Sequence, residues 1–412
     1  MRPCPVSSSN TALFASFDYH LAEGSGFRTA LAALIGMRIV YAINWLNIGA
    51  IFYAMGPDLG SGVVGLGTLT SSFYLGIGIW QVPGGVLAAK WGPKKIVIFG
   101  TLLCSCSALA TGFAPNLQVA AVLRFVVGAG MAFVFAPAVI IIARLLTEGR
   151  SGLGIGLFNS MFDVGGIFAL FLWAIIAGVT GWRVSVELGG VLGILSGLLL
   201  LPTVPTDPKN ITFRFSTSEL WKVIADRRIV IVGLGMLGVD VGNVIVSSFM
   251  EYYLIGVFGL DTASAGLIAS MIVAVPIFTA IYAGRTYDRM KRPRFLMLSS
   301  NVVLAASLVL AAFPSVVTAI VCTVLSGLFS GFGFTVGFAA AKDFNEASKE
   351  YDSLAVAWVN CISLFGAFVP PLIFSYSVAA SGYPAAWLIA AAMTLVLTVP
   401  LLFLKEKRVT AA

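Results

Sequence analysis

The sequence predicts an all-α polytopic membrane protein in which twelve transmembrane helices form two pseudo-symmetric six-helix bundles. Three observations support this fold class: 59% of the 412 residues are hydrophobic, apolar runs of membrane-spanning length recur, and the two halves share landmarks. Charged residues make up only 10% of the chain, whereas an ordinary soluble domain carries about 25%. The mean hydropathy of +0.98 agrees. Soluble enzymes, nucleic-acid-binding proteins and disordered chains are therefore excluded.

Twelve apolar runs are long enough to cross a bilayer, which takes about 20 mostly apolar residues. The predicted helices cover residues 29–56, 62–89, 94–114, 117–144, 151–179, 183–202, 229–256, 262–285, 294–313, 315–341, 353–379 and 383–404. A polar stretch from Thr203 to Arg228, with two prolines and eight charges, separates the sixth run from the seventh. We therefore expect two six-helix halves joined by a linker.

The expected parts are a cytoplasmic tail over 1–28, a bundle over 29–202, a cytoplasmic linker over 203–228, a second bundle over 229–404 and a cytoplasmic tail over 405–412. Cytoplasmic loops are rich in Lys and Arg. With both termini cytoplasmic, all 25 of these residues except Arg38, Arg124 and Arg183 fall on the cytoplasmic side. This predicts a multi-pass protein of the cell membrane. The net charge of +7 then reflects topology and indicates no nucleic-acid partner.

The two halves repeat each other, as parallel repeats of a membrane protein do. The motif GVLAAKWGPKK after the second helix returns as GRTYDRMKRPR after the eighth. One asparagine and two glycines also return, and all three landmarks lie 199 to 203 positions apart. The pairs are Gly85–Lys95 with Gly284–Arg294, Asn159 with Asn360, and Gly128 and Gly130 with Gly331 and Gly333.

The first landmark resembles the loop signature of the major facilitator superfamily of secondary transporters. In that signature two glycines lie seven residues apart. An Asp followed by a basic residue lies between them, and two further basic residues come after the second Gly. In the first copy Gly85, Lys90, Gly92 and Lys94 match, but Ala89 occupies the position of the Asp. The first copy therefore lacks the acid that would pair with a neighbouring cation.

The second copy keeps this acid. Gly284, Asp288 and Arg289 match the signature, and Lys291 replaces the second Gly. We interpret the two turns as gates, because such a charge cluster can latch the cytoplasmic helix ends in one conformation and release them in the other. The alternative is that the lysines only enforce the topology. The predicted gating residues are Gly85, Lys90, Gly92, Lys94, Gly284, Asp288 and Arg289.

A second family signature lies in the fourth helix, where Arg124 precedes Gly128 and Gly130. The Gly-Trp-Arg sequence that opens the sixth helix is also common in this family. The fifth helix lacks the Pro that is typical of drug/proton antiporters, which weighs against a drug exporter. Over roughly residues 29–404, the resemblance implies two six-helix bundles that rock about a site at the bilayer midplane.

Four ionisable residues are predicted to lie at bilayer depth, where each costs about 2.5–3.5 kcal/mol to insert and is a functional candidate by default. They are Arg38, Arg124, Asp163 and Asp240. Helical spacing places polar or aromatic residues on the same faces. These companions are Tyr41 and Trp45 with Arg38, Asn159 with Asp163, Asn243 and Ser247 with Asp240, and Asn360 and Ser363 on the eleventh helix.

Guanidinium groups bind carboxylate or phosphate groups through paired hydrogen bonds, so Arg38 and Arg124 are the predicted contacts to an anionic substrate. Asp163 and Asp240 are the predicted proton-coupling residues. Two structural alternatives remain: a static ion pair between Arg124 and Asp163, and an Arg38 side chain that extends to the membrane interface. The predicted substrate-binding set is Arg38, Arg124, Tyr41, Trp45, Asn159, Asn243 and Asn360.

Two further acids, Glu187 and Glu251, are predicted near the external helix ends, as solvated residues of a gate. The sequence contains no cofactor loop, metal-ligand cluster or nucleophile motif. We therefore expect neither an enzyme nor a cofactor.

The function predicted from these residues is symport of a small organic or inorganic anion with protons, by alternating access, in a protein that acts as a monomer in the lipid bilayer. One alternative is proton-driven efflux of hydrophobic or cationic compounds, in which the two acids would bind the cation. Another is a membrane sensor without transport activity. The charge sign of the ligand distinguishes the first two hypotheses.

Overall fold

The computed structural model describes residues 25–145, 151–206, 217–346 and 352–405, and these segments are helices joined by short turns. The first part contains α1 (Ser25–Asp58), α2 (Val63–Trp91), α3 (Pro93–Thr111), α4 (Leu117–Ala132), α5 (Phe135–Leu145), α6 (Ser151–Ile167), a π-helical turn (Phe168–Leu172), α7 (Trp173–Thr180) and α8 (Trp182–Thr203). The second part contains α9 (Thr217–Ile224), α10 (Arg227–Phe258), α11 (Thr262–Ala274), α12 (Pro276–Met290), α13 (Pro293–Ala311), α14 (Val316–Phe344), α15 (Asp352–Gly366), α16 (Val369–Thr398) and a 3-10 turn (Val399–Phe403).

These helices make twelve crossings, so the predicted fold class is confirmed. Four crossings are each built from two helices: α4 with α5, α6 with α7 across the π-helical turn, α11 with α12, which begins at Pro276, and α15 with the part of α16 before Gly382. By length and hydropathy alone, the described residues contain eleven candidate spans, because residues 354–403 count as one. Gly382, with φ +81° and ψ +173°, breaks this segment into the eleventh and twelfth crossings.

The helix contacts form two groups. In the first, α2 packs on α4, α3 packs on α4 and α8, and α1 packs on α6 and α8; in the second, α14 packs on α10, α12 and α13, and α16 packs on α10 and α13. The groups meet where α1 contacts α10, α2 contacts α15 and α16, and α11 contacts the π-helical turn. The helix α9 lies in the linker predicted over residues 203–228.

One face of α2 shows how the two groups diverge. Gly67, Gly78 and Gly85 lie at spacings of 11 and 7 residues, which places them on one helix face. A Cβ atom on Gly67 would lie 2.7 Å from the carbonyl oxygen of Pro371, and one on Gly78 would lie 2.7 Å from the Cα atom of Phe365. No atom of the described residues would lie within 4 Å of a Cβ atom on Gly85. The groups are therefore in contact at one end of α2 and apart at the other, about 27 Å away.

We call the two ends of the bundle the basic face and the opposite face. The basic face contains the turns at Gly92 and Lys291. The opposite face contains the turn after α1 and the turn between α10 and α11. The α1–α10 contact at Gly49 lies toward the opposite face, where a Cβ atom on Gly49 would lie 2.9 Å from the carbonyl oxygen of Ser247. The described conformation is thus closed at the opposite face, and the two groups are less closely packed at Gly85, toward the basic face.

A hydrogen-bonded cluster holds the opposite face of the first group together. Arg183 donates to the carbonyl oxygens of Gly112 and Ala114, at 2.8 and 3.0 Å, and pairs with Asp58 at 2.9 Å. Trp182 donates its indole N–H to the same Asp58 carboxylate. The Gly-Trp-Arg sequence therefore connects the start of α8 with the end of α1 and the turn after α3.

We predict that Arg183→Gln lowers the thermal stability of the purified protein. The side chains of Arg183 and Asp58 are 40% and 49% exposed, so the ion pair itself contributes little, up to about 1 kcal/mol. The hydrogen bonds from the guanidinium to two carbonyl oxygens contribute about 1.5–3 kcal/mol. Tryptophan fluorescence on heating measures the change. The control Arg285→Gln, at an exposed position of α12, should leave the melting temperature unchanged. If the two variants have the same melting temperature, the cluster does not stabilise the fold.

Candidate functional site

The Arg38 side chain is buried among aromatic rings in the first group. It is 7% exposed, and the guanidinium carbon lies 4.7 to 5.1 Å from four ring centroids. These rings belong to Tyr41, Phe135, Phe158 and Phe162. Among the described residues, none bonds to its buried Nε and Nη1 atoms. The side chain does not extend to the membrane interface, so two donors remain for a ligand.

Asp163 is half-buried on α6, one helical turn after the exposed Asn159. Its nearest charge partner is Arg38, whose positive charge acts on the carboxylate without a direct ion pair between the two residues. Asp163 and Arg38 therefore share one electrostatic environment at the inner side of the first group.

Arg124 has a different set of partners. It is 3% exposed and donates to the carbonyl oxygens of Asn44 and Trp45, at 3.0 and 3.4 Å. Its guanidinium carbon lies 4.5 Å from the ring centroid of Phe73, and its Nε atom is buried without a partner. The alternative of a static Arg124–Asp163 pair is therefore wrong for this structure, because Arg124 binds the backbone of α1 instead.

Trp45 lies between the two arginines. Its ring packs against Tyr41 and Phe162, with centroids 5.6 Å away in both cases, and against Phe73 at 5.0 Å. Its indole N–H donates to the hydroxyl of Tyr74 at 3.2 Å. The predicted placement of Arg38, Tyr41 and Trp45 on one stripe of α1 thus agrees with the structure, whereas Tyr74 of α2 was not predicted.

The second group contributes Asp240, which is 5% exposed in the middle of α10. Ser363 of α15 donates a hydrogen bond to its carboxylate, and its charge also acts on the hydroxyl of Tyr74 across the contact between the groups. Asn243 donates to Ser330 of α14 at 3.3 Å. Asn360 is half-buried on α15, three residues before Ser363. Ser363 thus contacts Asp240 as their helices pack, and Tyr74 lies between Asp240 and the aromatic residues of the first group.

A small pocket lies where these clusters meet. Trp45, Phe73, Tyr74, Arg124 and Ser248 are among the residues that line it, and it has room for about one water molecule. The site is thus contracted on the side of the opposite face in this conformation.

The first predicted gate is a helix turn that stays within one group. Gly92 has φ +95° and joins α2 to α3. Lys94 donates to the carbonyl oxygens of Leu201 and Val204 at the end of α8, at 2.9 and 2.5 Å. Lys90 is exposed. Lys94 therefore caps a neighbouring helix of the first group.

The second gate is an ionic cluster within the other group. Lys291 pairs with Asp288 at 3.4 Å and with Asp343 of α14 at 3.1 Å, and Tyr287 donates to Asp343 at 2.9 Å. Burial lowers the pKa of the Lys291 ammonium, but Asp343 and Asp288 raise it by more, so this pKa lies above its ordinary value. Arg289 is exposed, and a Cβ atom on Gly284 would meet nothing within 4 Å.

Glu251 lies near the end of α10, as predicted, but the prediction that it is solvated was wrong: the side chain is 2% exposed, and among the described residues neither carboxylate oxygen has a hydrogen-bond partner. Glu187 is half-buried. The length of the apolar run in α10 could have indicated the burial of Glu251. No comparable signal distinguished Phe73, Phe135 or Phe158 among the 30 phenylalanines of the chain.

Comparison with known proteins identifies the family. The family model of the Major Facilitator Superfamily matches residues 34–296 and 232–412. The chain is 24% identical over 232 residues to the MFS-type transporter YybF of Bacillus subtilis. The aligned residues are 54% of this chain and 56% of YybF. It is 28% identical over 162 residues to the probable sulfoacetate transporter SauU of Cupriavidus necator, covering 39% and 38%. The aligned segments thus span about half or less of these two relatives.

A longer match, at 22% identity over 302 residues, is to the probable nitrate transporter NarT of Staphylococcus aureus and covers 72% of this chain and 75% of NarT. Among solved structures, a bacterial homolog of the human lysosomal transporter Spinster has a TM-score of 0.75 at 16% identity and covers 94% of this chain and all of that one. The nucleoside transporter NupG has a TM-score of 0.76 at 16% identity, covering 92% and 99%. These structures share the fold.

The turn at Lys291 gives a testable prediction, because this residue has φ +48°, in the left-handed region that favours glycine. Both Lys291→Ala and Lys291→Gly remove the pairs with the two aspartates, but only Gly also relieves the backbone. We expect the Gly variant to be more stable than the Ala variant by about 1 kcal/mol, measured by thermal or denaturant unfolding. Equal stability would show that the backbone at this turn is not strained.

Proposed function

Because the chain belongs to the major facilitator superfamily, we propose that it carries a small anion across the membrane together with protons, by alternating access between its two helix groups. The observation that supports an anion is the pair of buried guanidinium groups, Arg38 and Arg124, each with a buried nitrogen that lacks a partner. The protein is an integral, multi-pass membrane protein of a transporter family, and it is not an enzyme. The substrate and the coupling are the parts proposed.

An oxyanion suits this site chemically. Arginine offers donors in a planar fork that matches carboxylate, sulfonate or nitrate oxygens, and hydrogen bonds between charged groups are the stronger ones. Burial reduces the screening of the attraction by water. The relatives named for sulfoacetate and nitrate are both named for oxyanions, which supports the proposal at low identity.

The aromatic rings around Arg38 favour an anion over a cation. They already hold the guanidinium by cation–π contact, a geometry that stabilises a positive charge. A cationic drug approaching these rings would be repelled by the guanidinium that occupies their centre. The efflux hypothesis therefore receives less support from this site than anion transport does.

Arg38 also provides a physical route to proton coupling. Its charge offsets the negative charge on Asp163, so an anion that binds Arg38 removes part of this compensation. Ionised Asp163 then becomes more costly, and binding of the anion favours uptake of a proton by the carboxylate. Asp240, bound by Ser363 between the two groups, is the second proposed proton site, because separation of the groups changes its surroundings.

We further propose that the basic face is cytoplasmic and that the protein resides in the cell membrane, with both termini in the cytoplasm. The face that is closed in the described conformation is then the extracellular one. Residues 29–202 and residues 229–404 would move as two rigid bodies. The protein would act as a monomer. In the converse conformation Gly85 and Gly284 would approach neighbouring helices, and the turns at Lys94 and Asp288 would act as gates.

The anion hypothesis predicts that Arg38→Gln and Arg124→Gln each weaken anion binding at least tenfold, because each removes a charge-assisted hydrogen bond worth about 1.5–3 kcal/mol. Nitrate and sulfoacetate are suitable probes, and the ligand-induced rise in melting temperature of the purified protein measures binding. Arg285→Gln is the matched control and should bind as the parent does. If proteoliposomes show anion uptake that is unaffected when Arg38 and Arg124 are both neutralised, the hypothesis is wrong.

The coupling hypothesis predicts that Asp163→Asn exchanges anions across a proteoliposome membrane but no longer accumulates them in response to a pH gradient. A neutral side chain cannot take up the proton that binding of the anion would otherwise favour. Anion counterflow measures exchange, and a pH-sensitive dye inside the vesicles measures proton entry. We expect the same separation of the two activities in Asp240→Asn. Glu187→Gln should keep both activities, and gradient-driven uptake in both Asn variants would refute proton coupling through these residues.

A further inference from the structure

Glu251 is a buried carboxylate that the proposed substrate and proton sites do not use. It is 2% exposed, and within the part of the chain that the structure describes neither carboxylate oxygen has a hydrogen-bond partner. It lies eleven residues beyond Asp240, about 16 Å further along α10 toward the opposite face. An ionised carboxylate in this position would have lost its water and gained no compensating contact, which is strongly unfavourable.

The neighbours of Glu251 on α10 place it at the contact between the two helix groups. Because residues three and four positions apart lie on the same helix face, Glu251 shares its face of α10 with Ser247 and Ser248 of the preceding turn. The backbone of both residues touches Gly49 of α1. The following residue, Tyr252, has its ring centroid 5.7 Å from that of Phe52 of α1. Glu251 is thus buried where α1 and α10 close the opposite face.

The charges near this contact do not compensate Glu251. Toward the opposite face, the titratable side chains of α10, of the helices packed on it and of the turn between α10 and α11 are Tyr252 and Tyr253 of α10, Tyr53 and Asp58 of α1, Asp261 before α11, Cys322 of α14, and Tyr376 and Tyr383 of α16. Among the described residues, none donates a hydrogen bond to Glu251. Of the two acids in this set, Asp58 is bound by Arg183 and Trp182, and Asp261 accepts from the backbone N–H of Ser264.

We propose that Glu251 is the proton-binding residue of the opposite-face gate, holding a proton while α1 and α10 are in contact and exchanging it with water when they part. This inference rests on the proposed function, since alternating access requires the contact at Gly49 to open. In the closed conformation the buried carboxyl group is neutral. In the open conformation water reaches the group, and the carboxylate ionises. Deprotonation then opposes closure, so that rising pH favours the open state of this face.

Distance measurements between spin labels test the proposal on the purified full-length protein. Gly62, before α2, and Gly256, near the end of α10, are exposed, and a Cβ atom on either would meet nothing within 4 Å. Labels at Gly62→Cys and Gly256→Cys, in a background with the native cysteines replaced by alanine, report the opening of the opposite face. Double electron–electron resonance gives the open and closed populations between pH 5 and pH 9, without added anion.

We expect the ratio of open to closed protein to rise with pH in the parent. In Glu251→Gln the slope of the logarithm of this ratio against pH should fall by up to about one, the value for loss of one titrating proton. Glu251→Asp keeps a titrating group and should retain the slope, even if Gln alters folding. Glu187, predicted from the sequence as a gate residue, packs instead against Gly112 in the turn after α3, within the first group. The control Glu187→Gln should therefore match the parent.

Two results would overturn the proposal: a Gln variant with the slope of the parent, or one whose opposite face is open at every pH. Because no anion is present, either result would leave the tests of Arg38 and Arg124 unaffected. Conversely, loss of the slope in Glu251→Gln together with anion binding that persists in the arginine variants would refute the anion site and keep the gate.

Discussion

The cost of placing charge in an apolar environment constrains every part of this protein. Each ionisable group at bilayer depth costs about 2.5–3.5 kcal/mol to insert, and the structure compensates each in a different way. Aromatic rings surround Arg38, backbone carbonyl oxygens of α1 accept from Arg124, and Ser363 donates to Asp240. Glu251 has no such partner among the residues that the structure describes. The degree of compensation separates groups that hold the fold together from groups that can respond to a ligand or a proton.

Close helix packing provides the second constraint, because it determines which of these groups water can reach. The backbone of α1 touches α10 at Gly49, and α2 touches α16 and α15 at Gly67 and Gly78. Side chains larger than hydrogen at these positions would keep the two groups apart. Toward the basic face, Gly85 has free space around it. The packing between the two groups is therefore tighter at Gly67 and Gly78 than at Gly85.

The candidate site joins both groups although each contributes a different chemistry. The first group supplies positive charge among aromatic rings, and the second supplies an acid with hydroxyl and amide side chains. Tyr74 lies at the junction: it accepts a hydrogen bond from Trp45 and is affected by the charge of Asp240. Any movement between the groups therefore changes the surroundings of both halves of the site together. This is the physical basis on which transport of a solute and movement of a proton can be linked.

The sequence alone determined the twelve helices, their approximate bounds, the repeat and the four ionisable residues at depth, because hydropathy and helical spacing are local properties. It even placed Arg38, Tyr41 and Trp45 on one stripe of α1. The tertiary structure decided the partner of each charge. The charge of Arg38 acts on Asp163, which lies 125 positions further along the chain, whereas Arg124 binds the backbone of α1. It also decided that Glu251 is buried rather than solvated. Such pairings depend on how each helix is rotated and on contacts between distant segments, which no local pattern encodes.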